Sequence, residues 1–443
     1  MRDRQVQGNR RPGPPARDEP AVRGRRGPGL AAAVAGLLAL TACTGPQGPP
    51  AASPEPSGVT PPAASASPEP SGVTTASSGA GSLGDDGTAS ASAAAPRVTG
   101  VAVAESIRGF DHPWEVRFLP DGTPLVTERV GRVSAIVDGR RRVLADVPRV
   151  VAQGEGGLMG MAVDPGFTRN RRIYLCHTAG SGNRAVDVRV VRFRVAADLD
   201  DLTERTPIVT GIPAGAGNRH QGCRLEIGPD GMLWISAGDA VLPSAPQDPR
   251  SRAGKVLRAT LGGEPASDNP GGDWDPYVYT LGHRNVQGLA FRPADGAAFS
   301  VEHGTSCDDE INILSPGANY GWDPRRADGG YAEQAPMTSP DVRGAVPAVW
   351  SSGCPTIAPS GAAFITGAQW GSWAGRLAVA VLKDQELLVA RVADDEVTST
   401  RTFLSGELGR LRTVRTGPDG SLWVATDADA GRVVRLVPQT DGG

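Results

Sequence analysis

The chain has 443 residues with a formal net charge of -3, so it lacks the basic excess of a nucleic-acid binder, and small molecules are the default ligands. Glycine and proline number 59 and 39, and no long Ala/Leu/Glu/Lys helical periodicity follows residue 100. That composition points to an all-β chain rich in turns.

The chain opens with a basic stretch ending in Arg23, Arg25 and Arg26, followed by LAAAVAGLLAL (30–40), an apolar run too short to span a bilayer as a helix. LTAC then ends at Cys43 and resembles a bacterial lipobox. Residues 1–42 are therefore read as a signal peptide, and Cys43 as the lipidated mature N-terminus; an ordinary cleaved signal with an incidental cysteine is the alternative. Arg25 and Arg26 leave the Sec and twin-arginine export routes both open. Residues 43–98 are almost wholly Ala, Ser, Pro, Gly and Thr, with ASPEPSGVT at 52–60 and again at 66–74. Such a segment cannot bury enough apolar surface to offset its ordering entropy, which predicts a disordered tether.

Residues 99–438 form the predicted folded domain. One phrase recurs there: FLPDGTPLVTERVGRV (118–133), EIGPDGMLWISAGD (226–239), FRPADGAAFSVEHG (291–304) and RTGPDGSLWVATDADAGRVVRL (415–436). Each is an alternating strand, a Pro/Asp/Gly turn and a second strand. Repeated four-stranded antiparallel units predict a β-propeller, because each unit exposes an apolar face that only its neighbours cover. The length fits six or seven blades, of which six is favoured. A two-sheet sandwich is the runner-up, but it does not predict the same turn phrase in four places.

In a propeller the loops at one rim converge, so polar residues far apart in sequence can share a pocket. GEGGLMG (154–160), NRHQGCR (218–224), LGHRNVQGL (281–289), EHGTSCDDEINIL (302–314) and GRLR (409–412) are the loops with unusual polar content, joined by CPTIAPSG (354–361) and Lys383. The segment 218–239 reads as a hairpin turning at GPDG, which returns Asp239 close to His220.

From about residue 105 onward the chain resembles the glucose/sorbosone dehydrogenase family of soluble, PQQ-dependent aldose sugar dehydrogenases, which are six-bladed propellers. HPW (112–114), VTER (126–129), GHRNVQG (282–288) and DDEINIL…GANYGW (308–322) carry the resemblance. It implies oxidation of the anomeric C1 hydroxyl of an aldose to a lactone, with hydride transfer to pyrroloquinoline quinone (PQQ). It makes His220 the base, Asp239 the carboxylate that orients it, and Arg284 the group beside the quinone. Neutral imidazole suits proton removal near neutral pH. Glu155, Arg284, Asn285, Thr356, Lys383, Arg410 and Arg412 are the implied cofactor contacts, and guanidinium pairing suits the three PQQ carboxylates. Arg410 and Arg412 are two residues apart, so both can face one side of a strand. Asp309 is expected to face the sugar, and the carbonyls of Gly304 and Thr305 to bind Ca2+, a cation that takes oxygen ligands. The sequence departs from the family pattern where Glu155, His303, Thr305 and Cys354 replace a glutamine, a glutamine, a proline and a tryptophan.

Without Cys43, four cysteines remain and permit three pairings. Equal separations of 47 residues predict disulfides Cys176–Cys223 and Cys307–Cys354, with buried reduced thiols as the alternative. The expected partners are a sugar and an external electron acceptor, whether a quinone, a cytochrome or a dye. The protein is expected to be held by its lipid on the outer face of the cell membrane. Two competing readings are a non-catalytic propeller that binds glycans or proteins, which loss of His220 or Arg284 would have signalled, and a calcium-dependent lactonase. The second needs side-chain carboxylates and amides ringing the channel, where this chain offers mainly basic groups.

Overall fold

The computed structural model describes residues 97–441. The segments read above as a signal peptide, a lipidation site at Cys43 and, for nearly all of its length, a tether lie outside them. Among the described residues no helix is long and apolar enough to cross a membrane.

The strands form six four-stranded antiparallel sheets arranged as a six-bladed propeller. Blades 1 to 5 take residues 113–146, 158–212, 225–281, 286–351 and 359–403 in order, and blade 6 takes residues 411–440 plus the first strand, Val98–Phe110. That strand pairs antiparallel with Gly431–Thr440, from Val98↔Thr440 to Phe110↔Gly431, so the two ends of the domain share one blade and close the ring. Interior strands are covered on both faces by neighbouring blades. Leu377–Val381 (LAVAV) is accordingly a continuous apolar run buried at every residue.

The Pro/Asp/Gly phrases connect the innermost strand to the second strand in blades 1, 3, 4 and 6. Their aspartates serve the backbone: Asp121, Asp230, Asp295 and Asp419 each accept the main-chain N–H two residues on, at 2.9–3.1 Å. The glycines of these turns have φ near +80°, as Gly122 (88°) and Gly420 (77°) show, which other residues adopt only with strain. Blades 2 and 5 lack the phrase because they make the same connection with a short helix, Phe167–Asn170, and a 3-10 helix, Ala368–Trp373.

The innermost strands meet around the axis, and a buried polar cluster fills their interior. Glu115 accepts Arg224 Nη1 at 2.6 Å and Arg415 Nε and Nη2 at 2.8 Å, while Arg117 bonds Glu226 at 2.6 Å. The Arg224 guanidinium also sits 3.9 Å above the Trp114 ring. Burial by itself would raise the Glu115 pKa, but Arg117, Arg415 and Arg224 hold the carboxyl well below its usual range. The axis is therefore plugged by charge, and each end of the ring has its own mouth.

Candidate active site

The polar loops singled out in the sequence all lie at the end where the innermost strands begin, at Leu158, Leu225, Val286, Pro359 and Leu411. They enclose a pocket of about 270 Å³. Glu155, His220, Arg284, Asn285, Gly304, Thr305, Asp309 and Thr356 line it, together with Arg219, His303 and Ala358.

Blade 3 delivers the histidine. Strands Leu225–Ile227 and Leu233–Ala237 pair around the GPDG turn, and Cys223 N–H to Ser236 O (2.7 Å) extends the ladder toward the loop. His220 Nδ1 then lies 2.8 Å from Asp239 Oδ1, with His220 3% exposed and Asp239 fully buried. Gly238 permits this approach, since a Cβ there would lie 2.0 Å from the His220 carbonyl oxygen. His220 itself has φ 51°, a left-handed conformation uncommon for a residue with a side chain. Asp239 Oδ2 takes Tyr331 Oη–H at 2.6 Å and Trp322 Nε1–H at 2.7 Å. Burial alone would raise the Asp239 pKa; its partners, His220 foremost, bring it below the usual value. His220 Nε2 makes no hydrogen bond among the described residues, which leaves that nitrogen for a ligand.

Blade 4 delivers the arginine. Glu302 accepts His283 Nδ1 at 3.0 Å through one oxygen and the Arg284 main-chain N–H at 3.0 Å through the other, so the GHRN and VEHG segments fix each other. Arg284 Nη1 donates to His303 O at 3.2 Å, while its Nε is buried without an acceptor. His303 Nε2 and Arg412 Nε are likewise buried and unpartnered. Burial, with Arg284 and Arg412 nearby, pushes the His303 pKa down to about 3, so its imidazole is neutral.

Three implied cofactor contacts stand beside the pocket instead of on its wall. Arg412 bonds Asp427 (2.8 Å) and Gln287 (3.2 Å), and Arg410 reaches the same Asp427 oxygen at 3.4 Å, so the two do face one side. Lys383 Nζ donates to Thr356 O at 2.5 Å. Asp309 lines the pocket, but both its oxygens serve the main chain: Oδ1 takes Gly304 N–H (2.8 Å), and Oδ2 takes those of Ile357 (2.6 Å) and Ala358 (2.8 Å). Burial nevertheless leaves its pKa raised. Its observed work is to tie the 304–309 loop to the 356–358 loop. Asp308 and Asp309 precede the strand Glu310–Ile313, so two of the three residues of the DDE run belong to the loop. Both disulfides form as paired above, Cys176–Cys223 three residues from His220 and Cys307–Cys354 across the two loops tied by Asp309.

These residues fit PQQ. Arg284 Nε on the pocket wall and Arg412 Nε behind it are buried donors without acceptors, the kind of group a polycarboxylate pairs with. Glu155 is less discordant than its charge suggests, since one oxygen accepts His220 N–H (3.1 Å) and Asn285 Nδ2 (3.0 Å). For a cation, among the described residues no N–H pairs with the carbonyl oxygen of Gly304 or Thr305. A larger cleft of about 580 Å³ lies at the opposite end, between blades 4 and 5, and is lined by Arg292, Arg376 and Arg391. It contains no imidazole–carboxylate pair, so chemistry and not volume selects the smaller pocket.

Tyr331, Trp322, Glu333, Gln287 and Asp427 were not singled out in the sequence. Trp322 stood in the GANYGW motif, whereas Tyr331 lies in a segment without periodicity that carries no local signal.

Residues 110–435 match the family model described as Glucose / Sorbosone dehydrogenase. The aldose sugar dehydrogenase YliI of Escherichia coli K12 is 32% identical over 358 residues, spanning 78% of this chain and 95% of that protein. Quinoprotein glucose dehydrogenase B of Acinetobacter calcoaceticus is 33% identical over 260 residues, 51% of this chain and 54% of that protein. Among solved structures, the PQQ-bound aldose sugar dehydrogenase of Streptomyces coelicolor superposes with a TM-score of 0.66 at 31% identity, covering 78% of this chain and 100% of its own. With the six-bladed architecture and a match over most of the folded domain, the chain belongs to the glucose/sorbosone dehydrogenase family.

Proposed function

We propose that this protein oxidises an aldose at its anomeric C1 hydroxyl, giving the lactone, with PQQ as the cofactor. The observation that carries the reading is the buried His220–Asp239 pair, 2.8 Å apart, facing a pocket with Arg284 on its wall in a propeller of this family. Bound PQQ supplies the two-electron acceptor for the C1 hydride. Arg284, Asn285 and Thr356 would hold it from the pocket wall, with Lys383, Arg410 and Arg412 behind them, and the carbonyls of Gly304 and Thr305 would hold Ca2+. His220 takes the hydroxyl proton at Nε2, because Nδ1 is committed to Asp239. The Asp239 carboxylate compensates the positive charge that then develops on the imidazole. Arg284 places positive charge where negative charge gathers on the acceptor side. Asp309 contributes to substrate binding by shaping the rim and through whatever acceptor capacity its backbone partners leave.

Export is part of the same reading. The apolar run at 30–40, Cys43 and the tether support a lipoprotein held at the outer face of the membrane, where its electrons pass to a quinone or cytochrome.

The test is reconstitution of the purified protein with PQQ and Ca2+, followed by dye reduction across a panel of aldoses. Sugar-dependent reduction is expected; no PQQ binding and no activity with any sugar would remove the proposal. His220→Ala is expected to lower turnover by about 10³-fold or more while leaving PQQ affinity nearly unchanged. Retained turnover takes His220 out of the base role.

A further inference from the structure

The third and fourth strands of blade 4, Glu310–Ile313 and Trp350–Ser351, are joined by residues 314–349, far longer than a blade needs. This connection climbs beside blade 3, where Tyr320 N–H bonds Leu281 O (2.9 Å) and the Asn319 amide donates to Gln247 (2.7 Å). It crosses the pocket end and returns, with Val346 N–H bonding Asn319 O (2.8 Å). So long a connection without a helix or named strand of its own is costly in ordering entropy and in compact domains usually has a task. Two side-chain ties fix the crossing part at the rim. Glu333 takes Arg219 Nη1 and Nη2 at 3.0 and 3.2 Å, and Gln334 accepts Ser306 Oγ–H at 2.6 Å. Between these ties and Trp322 lies Tyr331.

We propose that Tyr331 is a positioning residue of this site: its phenol and the Trp322 indole fix the Asp239 carboxylate so that the other oxygen is held on His220 Nδ1. The division of the carboxylate is complete. Oδ1 takes His220 Nδ1–H and Val241 N–H, each at 2.8 Å, and Oδ2 takes Tyr331 and Trp322. Rotation about an aspartate's χ2 is soft, so a carboxylate held through one oxygen swings, whereas one held through both does not. Donation to Oδ2 also draws charge from Oδ1, which moderates the carboxylate's pull on the imidazole proton. Burial and Asp239 push the Tyr331 pKa well above its usual value, so the phenol remains a donor throughout the working range. The other titratable and charged groups facing His220 are Glu155, Arg219, Arg284, Asp309, Glu333 and the neutral His303, and none of them touches Oδ2.

The inference rests on His220 being the base, and the experiment separates the two. Tyr331→Phe, made in the full chain and loaded with PQQ and Ca2+, is assayed for PQQ affinity by spectral titration, and for kcat, KM and the pH dependence of kcat/KM. The expected result is unchanged PQQ affinity, kcat lower by about 10-fold, and an acid limb moved to higher pH, because Asp239 then holds the imidazolium more tightly. Wild-type kcat and an unmoved limb overturn the proposal. Glu333→Asp keeps the phenol and the charge but loosens the tie to Arg219, and gives a smaller change of the same sign; an unshifted profile here overturns the proposal even if Tyr331→Phe fails to fold. If His220→Ala retains turnover, the base reading falls and this inference with it. If His220→Ala is inactive while Tyr331→Phe behaves as wild type, only this inference falls.

Discussion

Two clusters of arginines sit along the axis of this propeller and differ in how their hydrogen bonds are spent. In the plug every nitrogen of Arg224 and Arg415 has an acceptor, supplied by Glu115, Glu226, Thr413 and main-chain carbonyls; only Arg117 Nε lacks one. At the pocket, Arg284 Nε, Arg412 Nε and His303 Nε2 are buried and unpartnered. Leaving buried donors unmet destabilises a fold, so a self-satisfied cluster is structural and a cluster with open donors is arranged for a ligand.

Opposite outcomes for mutations in the two clusters test that contrast. Glu115→Ala leaves Arg224 and Arg415 buried without their anion and is expected to destabilise the domain by about 3–5 kcal/mol, read as a lower midpoint in chemical denaturation, with kcat of the remaining folded protein little altered. Arg284→Ala should do the reverse, with kcat down about 10²-fold (roughly 3 kcal/mol) and a nearly unchanged melting profile. A large stability loss for Arg284→Ala and none for Glu115→Ala would invert the assignment.

A subtler effect is expected on removing the Cys307–Cys354 disulfide. Replacing Cys307 and Cys354 by serine together should lower stability by about 2 kcal/mol and weaken Ca2+ and PQQ binding, since the bridge joins the loops that carry Gly304, Thr305 and Thr356. Unchanged affinity for both would show that Asp309 alone orders those loops. A separate effect, spread over several pH units, is expected on acid stability. The His303 pKa is lowered from 6.5 to about 3, so the unfolded chain binds a proton that the folded one refuses. This contribution is intact above pH 6.5 and declines as pH falls toward 3, at roughly 1 kcal/mol per pH unit. His303→Gln should flatten the stability profile in that window, and an unchanged slope between pH 6 and 4 rejects a neutral buried His303.

Much of this protein was legible in its sequence, for local reasons. The Pro/Asp/Gly phrase is a turn code, because aspartate caps a backbone N–H and glycine supplies positive φ, so four of the six blades announced themselves. Blades 2 and 5 did not: blade 2 has the same residue types in another order, Asp164-Pro165-Gly166, leading into a short helix, and blade 5 uses a 3-10 helix with unrelated residues. The His220–Asp239 pairing was legible because one hairpin contains both residues, and the cysteine pairing because one blade separates the partners. Asp309 was legible only in part: its place in a polar loop puts it on the pocket wall, and only folding shows three backbone amides converging on it.

The sequence by itself determined what periodicity and short range can encode: strands, turns, the repeat that requires a ring, and the chemical character of the loops. The tertiary structure alone decided which donors remain unpaired, that Arg410 and Arg412 share Asp427 behind the pocket, and that Tyr331 reaches Asp239 from 92 positions away. Hydrogen-bond partnership at such separations depends on blade placement around an axis, a geometric consequence of closing the sheet repeat that no local pattern of residues records.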